Sequence, residues 1–204
     1  MKKYKGLLIT MVLSISLIFS SCSNALKYDF KQMESELKGL DVVVQTYDEN
    51  SNIIDRIEGK SVSVSNEDKF DVKNEEGNTI SKSSVIGLTI GGKSMVHTGS
   101  SLLMYEKGLT DIFDKFSKTV DIKNFDRSTP FLNRMVNDFK NLTTGKNKVI
   151  LIRSQSGFPL ATFVGNNVSY FSTDIEKSTG IIIDGKYLFI YRCDYSIYDL
   201  ELIQ

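Results

Sequence analysis

Residues 148–171 read KVILIRSQSGFPLATFVGNNVSYF, and this stretch decides the fold class. Short apolar runs rich in Val and Ile alternate with the turn residues Ser-Gly and Gly-Asn-Asn, which is the pattern of short strands joined by tight turns. The same alternation continues towards the end of the chain, through apolar runs at 181–183 and 187–193. The C-terminal part of the chain is therefore predicted to be a β-sheet.

An earlier part of the chain has the same pattern in the same register. When Gly59 is aligned with Gly165, Val43-Val44 matches Val149-Ile150, and Val62-Ser63 matches Val168-Ser169. Farther on, Gly87-Leu-Thr-Ile-Gly-Gly-Lys93 aligns with Gly180-Ile-Ile-Ile-Asp-Gly-Lys186. These matches predict an internal duplication, with chance similarity between two strand-rich stretches as the alternative. Each copy would have too little core alone and would have to pack on the other.

The predicted fold class is α+β and strand-rich, with the copies forming a pseudo-symmetric β sandwich or a partly open barrel. Between the copies, apolar residues recur at helical spacing: Leu109, Ile112, Phe113 and Phe116. A second helix is predicted after Ser128-Thr129-Pro130, because a hydroxyl can cap a helix and proline suits its first turn. These two helices are predicted to bridge the copies. The acid-rich residues 66–84 are predicted to be a mobile loop inserted in the first copy.

The N-terminus has the parts of an export signal. Three lysines precede an apolar run over residues 7–19, which is followed by Ser20-Ser21-Cys22. The run is shorter than the roughly 20 residues that a membrane-spanning helix needs. A cysteine after small residues is the acceptor in lipoprotein processing. We therefore expect lipidation of Cys22 and anchoring on the outer face of the cytoplasmic membrane. An ordinary cleaved signal and an uncleaved anchor are the alternatives.

The chain behind this anchor has the length of one folded domain. We expect a lipoprotein signal peptide over residues 1–21 and a lipidated N-terminus with a short helix over 22–40. A single globular domain would follow over 41–204. Its parts are two repeat-like halves and a helical bridge: 41–108, 148–204 and 109–142. Beyond the signal, 22 basic and 25 acidic residues remain, a net charge of −3 (22 − 25). This balance argues against a nucleic-acid partner.

Three motifs resemble functional sites, and each has a simpler structural interpretation. The segment from Gly87 to Ser94 fits a phosphate-binding loop, but strand-like residues follow its lysine where a helix is needed. The segment from Asp48 begins like a calcium loop and lacks its later glycine and acid. His97 and Cys193 could form a catalytic pair, but a buried, inert thiol is the commoner state of such a cysteine. We therefore predict no catalytic residue, no metal and no cofactor.

The few arginines of the chain offer one ligand-binding hypothesis. Arg153 and Arg192 end apolar strands in the second copy, and Arg127 and Arg134 belong to the predicted bridging helix. Such arginines commonly pair with a carboxylate. The available partners are Asp126, Asp138 and Asp194. The functional alternative is a small anion-binding cleft formed by the four arginines.

Several segments together resemble a family of Firmicutes lipoproteins whose domain has no assigned function. These segments are Gln45-Thr46-Tyr47-Asp48, Gly99-Ser100-Ser101-Leu102, Asp126-Arg-Ser-Thr-Pro-Phe-Leu-Asn-Arg134, Arg153-Ser-Gln-Ser-Gly157 and Tyr191-Arg-Cys-Asp-Tyr195. The resemblance covers nearly the whole chain after the signal. It implies a lipid anchor and a Gram-positive host, and it carries over no catalytic residue.

These observations favour a non-enzymatic binding or interaction module of the cell envelope. Its partners would be the membrane, through the lipid anchor, and an envelope protein or small ligand of unknown identity. The alternative function is an envelope hydrolase that uses Asp or Glu carboxylates, which needs two acids in one cleft with separated proton affinities.

Overall fold

The computed structural model describes residues 38–117, 131–138 and 140–203, and strands dominate them. The strands are β1 (Asp41–Tyr47), β2 (Ile53–Asn66), β3 (Val72–Lys73), β4 (Thr79–Ser81), β5 (Ile86–Ile90), β6 (Lys93–His97), β7 (Ser101–Glu106), β8 (Lys148–Arg153), β9 (Pro159–Gly165), β10 (Val168–Ser172), β11 (Ser178–Ile183), β12 (Lys186–Tyr191) and β13 (Asp194–Asp199). The helices are α1 (Ile112–Ser117), α2 (Phe131–Asp138) and α3 (Lys140–Thr143), with 3₁₀ turns at Asp68–Phe70 and Leu200–Leu202. The predicted strand-rich α+β class is confirmed.

The strands form one large curled sheet and two smaller ones. The large sheet is a half-barrel with the strand order β10-β11-β12-β7-β1-β2-β5-β6. A three-stranded sheet has the order β13-β8-β9, and β3 pairs with β4. All named strand pairs are antiparallel. Strand β12 of the later half pairs with β7 of the earlier half, so the large sheet contains strands from both.

The strand pairing repeats between the two halves of the chain. In the first copy the order is β7-β1-β2-β5-β6, and the second copy has β13-β8-β9 and β10-β11-β12 in the matching places. The register also repeats, because Val44 pairs with Ile57 while the equivalent Ile150 pairs with Phe163. Both copies have a bulge at equivalent positions, between Thr46 and Tyr47 in the first and between Ile152 and Arg153 in the second. The internal duplication is therefore present in topology and register.

A close contact at the bend of the long strand accounts for the aligned glycines. A Cβ placed on Gly59 would lie 2.8 Å from Cγ2 of Ile90, and one on Gly165 would lie 2.5 Å from Cγ2 of Ile183. Ile90 and Ile183 occupy equivalent positions in the two copies. Both copies therefore need a residue without a side chain at this point.

Three apolar clusters separate the layers of the molecule. The first lies inside the curled sheet and includes Val44, Leu88, Leu102 and Phe189. The second lies between the convex face of the large sheet and the three-stranded sheet, with Val43, Leu103, Ile150 and Phe163 among its members. The third lies between the outer face of the three-stranded sheet and the helices, and it includes Ile112, Met135, Val149 and Leu151.

The helices connect the copies along the chain, and in space they cover the second copy. Ile112 and Phe113 of α1 pack in the third cluster, as do Met135 and Val136 of α2. This cluster draws its strand residues from β8, β9 and β13. The predicted helical bridge is therefore also a cover for the outer face of the second copy.

The acid-rich insertion differs from the predicted mobile loop. It contains a 3₁₀ turn and the β3–β4 hairpin. The carboxylate of Asp71 organises it, since Oδ1 accepts hydrogen bonds from the Ser83 N–H at 2.7 Å and from Nδ2 of Asn66 at 3.1 Å. This stretch has few apolar residues to bury, and hydrogen bonds of polar side chains give it a defined conformation instead.

Several predictions fall outside the described residues: the signal peptide, the lipidation of Cys22, the short helix after it, the helix start at Ser128-Thr129-Pro130, and Arg127. Within the described ranges, no helix has the length and apolar character needed to cross a bilayer.

Candidate functional site

Four turns, two from each copy, meet at one end of the sheets and enclose a cavity of about 60 Å³. The turns that follow β1 and β8 are equivalent in the duplication, as are those that follow β6 and β12. We call this cavity the inter-copy cleft. Its lining residues are Tyr47, Asp48, Glu49, Gly99, Ser100, Ser101, Ser154, Gln155 and Arg192.

Hydrogen bonds across the inter-copy cleft join the two copies. The buried Ser154 hydroxyl donates to the backbone oxygen of Glu49 at 3.1 Å. The Ser101 hydroxyl donates to the backbone oxygen of Arg192 at 2.8 Å, and the same oxygen also accepts a hydrogen bond within the second copy, from Nε2 of Gln155 at 3.4 Å. The turns are therefore held in place mainly through backbone oxygens.

The two equivalent turns have the same internal geometry. The Asp48 N–H donates to the Asn52 oxygen at 3.0 Å, and the Ser154 N–H donates to the Phe158 oxygen at 2.7 Å. In each turn the first side chain accepts a hydrogen bond from the N–H four residues later. Hydrogen bonds from Asn52 and Asn50 lower the pKa of the Asp48 carboxyl. The predicted hairpin turn therefore accounts for the segment that resembles the start of a calcium loop.

Arg192 has a positive φ, and the equivalent position in the first copy is a glycine. Its φ is +53°, and Gly99 in the first copy has φ +95°. The half-buried Arg192 side chain has a buried Nε without a hydrogen-bond partner in the described residues. Its guanidinium lies near the Tyr191 hydroxyl: burial raises the pKa of Tyr191, and the positive charge of Arg192 opposes that shift. The positive φ could have been inferred from the alignment of Arg192 with Gly99.

The other predicted arginines have different surroundings. Nη2 of Arg153 donates to the Ser196 hydroxyl at 3.0 Å. Nε of Arg134 lies 3.9 Å from the Asp138 carboxylate, one helical turn away. Arg153 lines a groove of about 540 Å³, separate from the inter-copy cleft, between α2 and the outer face of the three-stranded sheet. Neither cavity is lined by more than one of the described arginines.

A polar chain lies buried between the first copy and the three-stranded sheet. Oε1 of Gln45 accepts hydrogen bonds from the hydroxyls of Tyr47 at 2.9 Å and Tyr105 at 3.2 Å. Nη1 of Arg56 approaches the Tyr105 hydroxyl at 3.5 Å and so extends this chain towards the surface. Burial raises the pKa of both tyrosines. Because these hydroxyls remain protonated, they act as the hydrogen-bond donors that satisfy the buried Gln45 side-chain oxygen.

Asp111, which sequence reasoning missed, is a carboxyl whose proton affinity is strongly changed by its surroundings. Its Oδ1 accepts hydrogen bonds from the N–H groups of Phe113 and Thr162, both at 2.9 Å. Burial nevertheless raises its pKa to about 7. An acid directly before the apolar residues of α1 is a helix-capping signal. That signal could have identified the cap, whereas the enclosure of the carboxylate depends on β9.

Cys193 and His97 do not form a catalytic pair. Burial raises the pKa of the Cys193 thiol to about 12, and its sulfur lies 3.2 Å from the Tyr191 backbone oxygen. His97 uses Nε2 in a 2.9 Å hydrogen bond with the Ser100 backbone oxygen, and its ring meets Tyr191 edge-on. A thiol that stays protonated is a poor nucleophile.

The glycine-rich motif also has a structural explanation. The glycine-rich segment from Gly87 forms strand β5, a two-glycine turn and strand β6, so no helix follows to bind a phosphate. In the ranges that the structure describes, no group of three or more His, Cys, Asp and Glu residues could hold a metal ion.

Comparisons with known proteins identify a family without an assigned activity. Searches among curated proteins and among solved structures found no match. The family model that matches covers residues 3–203 and is described as a domain of unknown function, DUF5052. The chain therefore belongs to the DUF5052 family.

Proposed function

We propose that the protein is an extracytoplasmic lipoprotein, anchored through Cys22 to the outer face of the cytoplasmic membrane, of the kind found in Firmicutes. Its folded domain is a non-enzymatic binding module of the cell envelope. The basic start, the short apolar run and the cysteine after small residues support the anchor. The two-copy domain supplies a scaffold on which turns from both copies meet.

The observation that carries this proposal is the position of the inter-copy cleft relative to the tether. The described chain starts at Lys38, three residues before the first residue of β1, and the last residue of β1, Tyr47, lines the cleft. At about 3.4 Å per residue, β1 separates the two points by about 20 Å. The inter-copy cleft therefore lies at the end of β1 opposite the N-terminal attachment, where an envelope component could reach its exposed residues Glu49 and Gln155.

The chemistry of the cleft favours binding over hydrolysis. A carboxylate-based hydrolase needs two acids whose proton affinities differ. Asp48 and Glu49 both line the cleft, but the Asp48 carboxylate accepts hydrogen bonds from the Asn50 and Asn52 N–H groups at 2.9 and 2.8 Å. This acid serves the turn and has a lowered pKa, which is unsuitable for a general acid.

Fatty-acid labelling tests the anchor. The full chain, expressed in a Gram-positive host supplied with an alkyne fatty acid, should become labelled and remain with the membranes. Cys22→Ala should abolish the label, and Cys193→Ala, which leaves the signal intact, should retain it. Absence of label on the unaltered chain would refute the lipid anchor.

Site-specific photo-crosslinking on intact cells tests the binding function. A photoreactive residue at Gln155, an exposed position of the cleft, should give a discrete adduct with an envelope component. The control position is Lys73, which is exposed on β3, away from the four turns. Equal adducts from both positions, or none from Gln155, would count against a binding role for the cleft.

A further inference from the structure

We propose that the first part of β2 is a docking site for an extended peptide segment of a protein partner, which pairs with β2 as an additional strand of the large sheet. The site consists of residues 53–58, which we call the free edge. None of these residues lines the inter-copy cleft, so this inference goes beyond the proposed function and does not depend on it. Three features carry it: the unpaired backbone of the free edge, the covered state of the equivalent strand, and the side chains of the free edge.

The free edge is a part of β2 that is paired on one side only. Strand β1 pairs with it along its whole length, whereas β5 pairs with β2 only from Ser61 onwards. The Lys60 oxygen accepts a hydrogen bond from the Gly91 N–H and therefore points away from β1. Because backbone groups alternate in direction along a strand, those of Arg56 and Glu58 point the same way. No described strand pairs with these groups, so they are available to another strand.

The equivalent segment of the second copy is covered. Residues 159–164 of β9 are all buried or half-buried, whereas residues 53–58 of β2 are all exposed. Thr162, the equivalent of Arg56, donates its N–H to the Asp111 carboxylate at 2.9 Å. Asp111 and the helix α1 that follows it thus occupy the edge of β9 where a further strand would pair. None of the described elements does the same in the first copy, so the duplicated strand keeps an open edge there.

Exposed apolar side chains mark the free edge. Ile53, Ile54 and Ile57 have 46, 57 and 37% of their surface exposed. The outer strand β6 of the same sheet has one exposed large apolar residue, Val96, and begins with a lysine. Edge strands that stay unpaired commonly have lysine or proline, and residues 53–58 contain neither. The free edge therefore has the features of a strand that gains a partner.

Two charged side chains of the free edge are held over β1 and leave the edge clear. Arg56 and Glu58 form an ion pair at 2.9 Å. Nη1 of Arg56 also approaches the Tyr105 hydroxyl of β7 at 3.5 Å, and the Glu58 carboxylate lies 2.8 Å from Nζ of Lys107, directly after β7. Strand β1 lies between β2 and β7, so these contacts draw both side chains away from the open side.

The remaining charge of the free edge defines the class of peptide. Asp55 and Ile57 lie on one face of the sheet, where they pair with Thr46 and Val44. The Asp55 carboxylate accepts a hydrogen bond from the Thr46 hydroxyl at 3.0 Å and is exposed. A basic residue opposite Asp55 and an apolar residue opposite Ile57 complement this face. A second copy of the chain fits less well, because two-fold pairing centred on the middle of the free edge places Asp55 opposite Asp55, or Arg56 opposite Arg56. The partner segment therefore has basic and apolar residues at alternate positions.

Peptide binding to the full chain in detergent micelles tests this inference. The probe is the fluorescently labelled peptide Ser-Val-Thr-Lys-Ser-Val-Thr, which has its lysine and both valines on one face. Its anisotropy should saturate with protein concentration, and the same peptide with glutamate in place of lysine should bind about fivefold more weakly. Methylation of one alternating set of its amide nitrogens should abolish binding, and methylation of the other set should not, because only one set faces β2. Equal effects of the two methylations, or no saturable binding of the lysine peptide, would overturn the inference.

Variants of the chain test whether the peptide binds at the free edge. Ile57→Lys should weaken binding of the lysine peptide about tenfold, and Val96→Lys, which makes the same change on β6, should leave it unchanged. Equal losses would show that the peptide binds elsewhere. Asp55→Asn, which retains an oxygen for the Thr46 hydroxyl, should remove the preference for the lysine peptide over the glutamate peptide. If Ile57→Lys lowers the melting temperature, the result for Asp55→Asn decides, and an unchanged preference would refute the assignment. A dimer in analytical ultracentrifugation that Ile57→Lys dissociates would show instead that a second copy covers the free edge.

Discussion

Replacing Asp111 by asparagine should make the stability of the protein less dependent on pH. Burial raises the pKa of this carboxyl from 3.8 to about 7, although N–H groups from Thr162, Asp114 and Phe113 oppose the shift. Because the pKa is higher in the folded state, the folded protein binds more protons than the unfolded chain between pH 3.8 and about pH 7. Its stability therefore falls as the pH rises through this range. At about 1.4 kcal/mol per pKa unit, the loss at pH 8 is about 4 kcal/mol.

An asparagine oxygen can accept the same bonds from Phe113 and Thr162 without carrying a charge. We therefore expect Asp111→Asn to exceed the wild type in free energy of unfolding by up to about 4 kcal/mol at pH 8, and to lie within about 1 kcal/mol of it at pH 4. Urea unfolding followed by circular dichroism at both pH values measures this difference. Asp68→Asn, which removes an exposed acid, is the control. A constant difference for Asp111→Asn would refute the argument that its ionised form is disfavoured by burial.

The remaining predictions concern packing and thiol chemistry. Gly165→Ala should lower the free energy of unfolding by about 1–3 kcal/mol in urea titrations, because its Cβ would lie 2.5 Å from Ile183; an unchanged value would contradict the close contact. Phe163→Ala should lower it by about 3–5 kcal/mol, since this ring is fully buried against Tyr105. The exposed Phe158→Ala is its control, and equal losses would argue against the packing. Cys193 should resist iodoacetamide at pH 8 in the folded protein and react in urea, because burial raises its pKa to about 12; rapid labelling of the folded protein, measured by mass spectrometry, would contradict this.

The duplication was predictable because its signals are local. Glycines mark the bends and hairpins of both copies, and apolar residues keep the same spacing before them. The packing of the copies was not predictable, because it depends on which face of each strand the neighbouring layer covers. Val43 and its equivalent Val149 are both fully apolar, yet one contacts the three-stranded sheet and the other contacts the helices.

The candidate site was predictable only in part. Arg192 was identified from its place at the end of an apolar strand, and its equivalence to Gly99 also lies within the alignment. The hypothesis that four arginines form one cleft depends on distances in the folded protein. The spacing of residues along the chain does not give those distances. In the described residues Arg153 lines a groove separate from the inter-copy cleft, and Arg134 lies beside Asp138.

Asp184 contributes to a difference between the copies in the continuity of their sheets. Asp184, in the β11–β12 turn, accepts hydrogen bonds on Oδ1 from the N–H groups of Asn166 and Asn167 at 2.9 and 2.8 Å. These bonds hold the chain between β9 and β10 in a turn. The equivalent residue in the first copy is Gly91, which has no side chain, and β2 continues without a break. The second copy is therefore divided between two sheets.

The division of the second copy determines which layers pack on each other in the described residues. Strands β8, β9 and β13 are free to fold over the convex face of the first copy, where Gln45 and the tyrosines form their polar chain. Their own outer face has Leu151 at the position equivalent to Gln45, and the helices cover it. A further copy cannot stack on a face that is already covered, so the helices end the repeat as a capping unit does in a repeat protein. The two copies thus have different neighbours, and equivalent turns were free to diverge: Gly99 keeps the unstrained turn, and Arg192 carries a charged side chain at the junction between the copies.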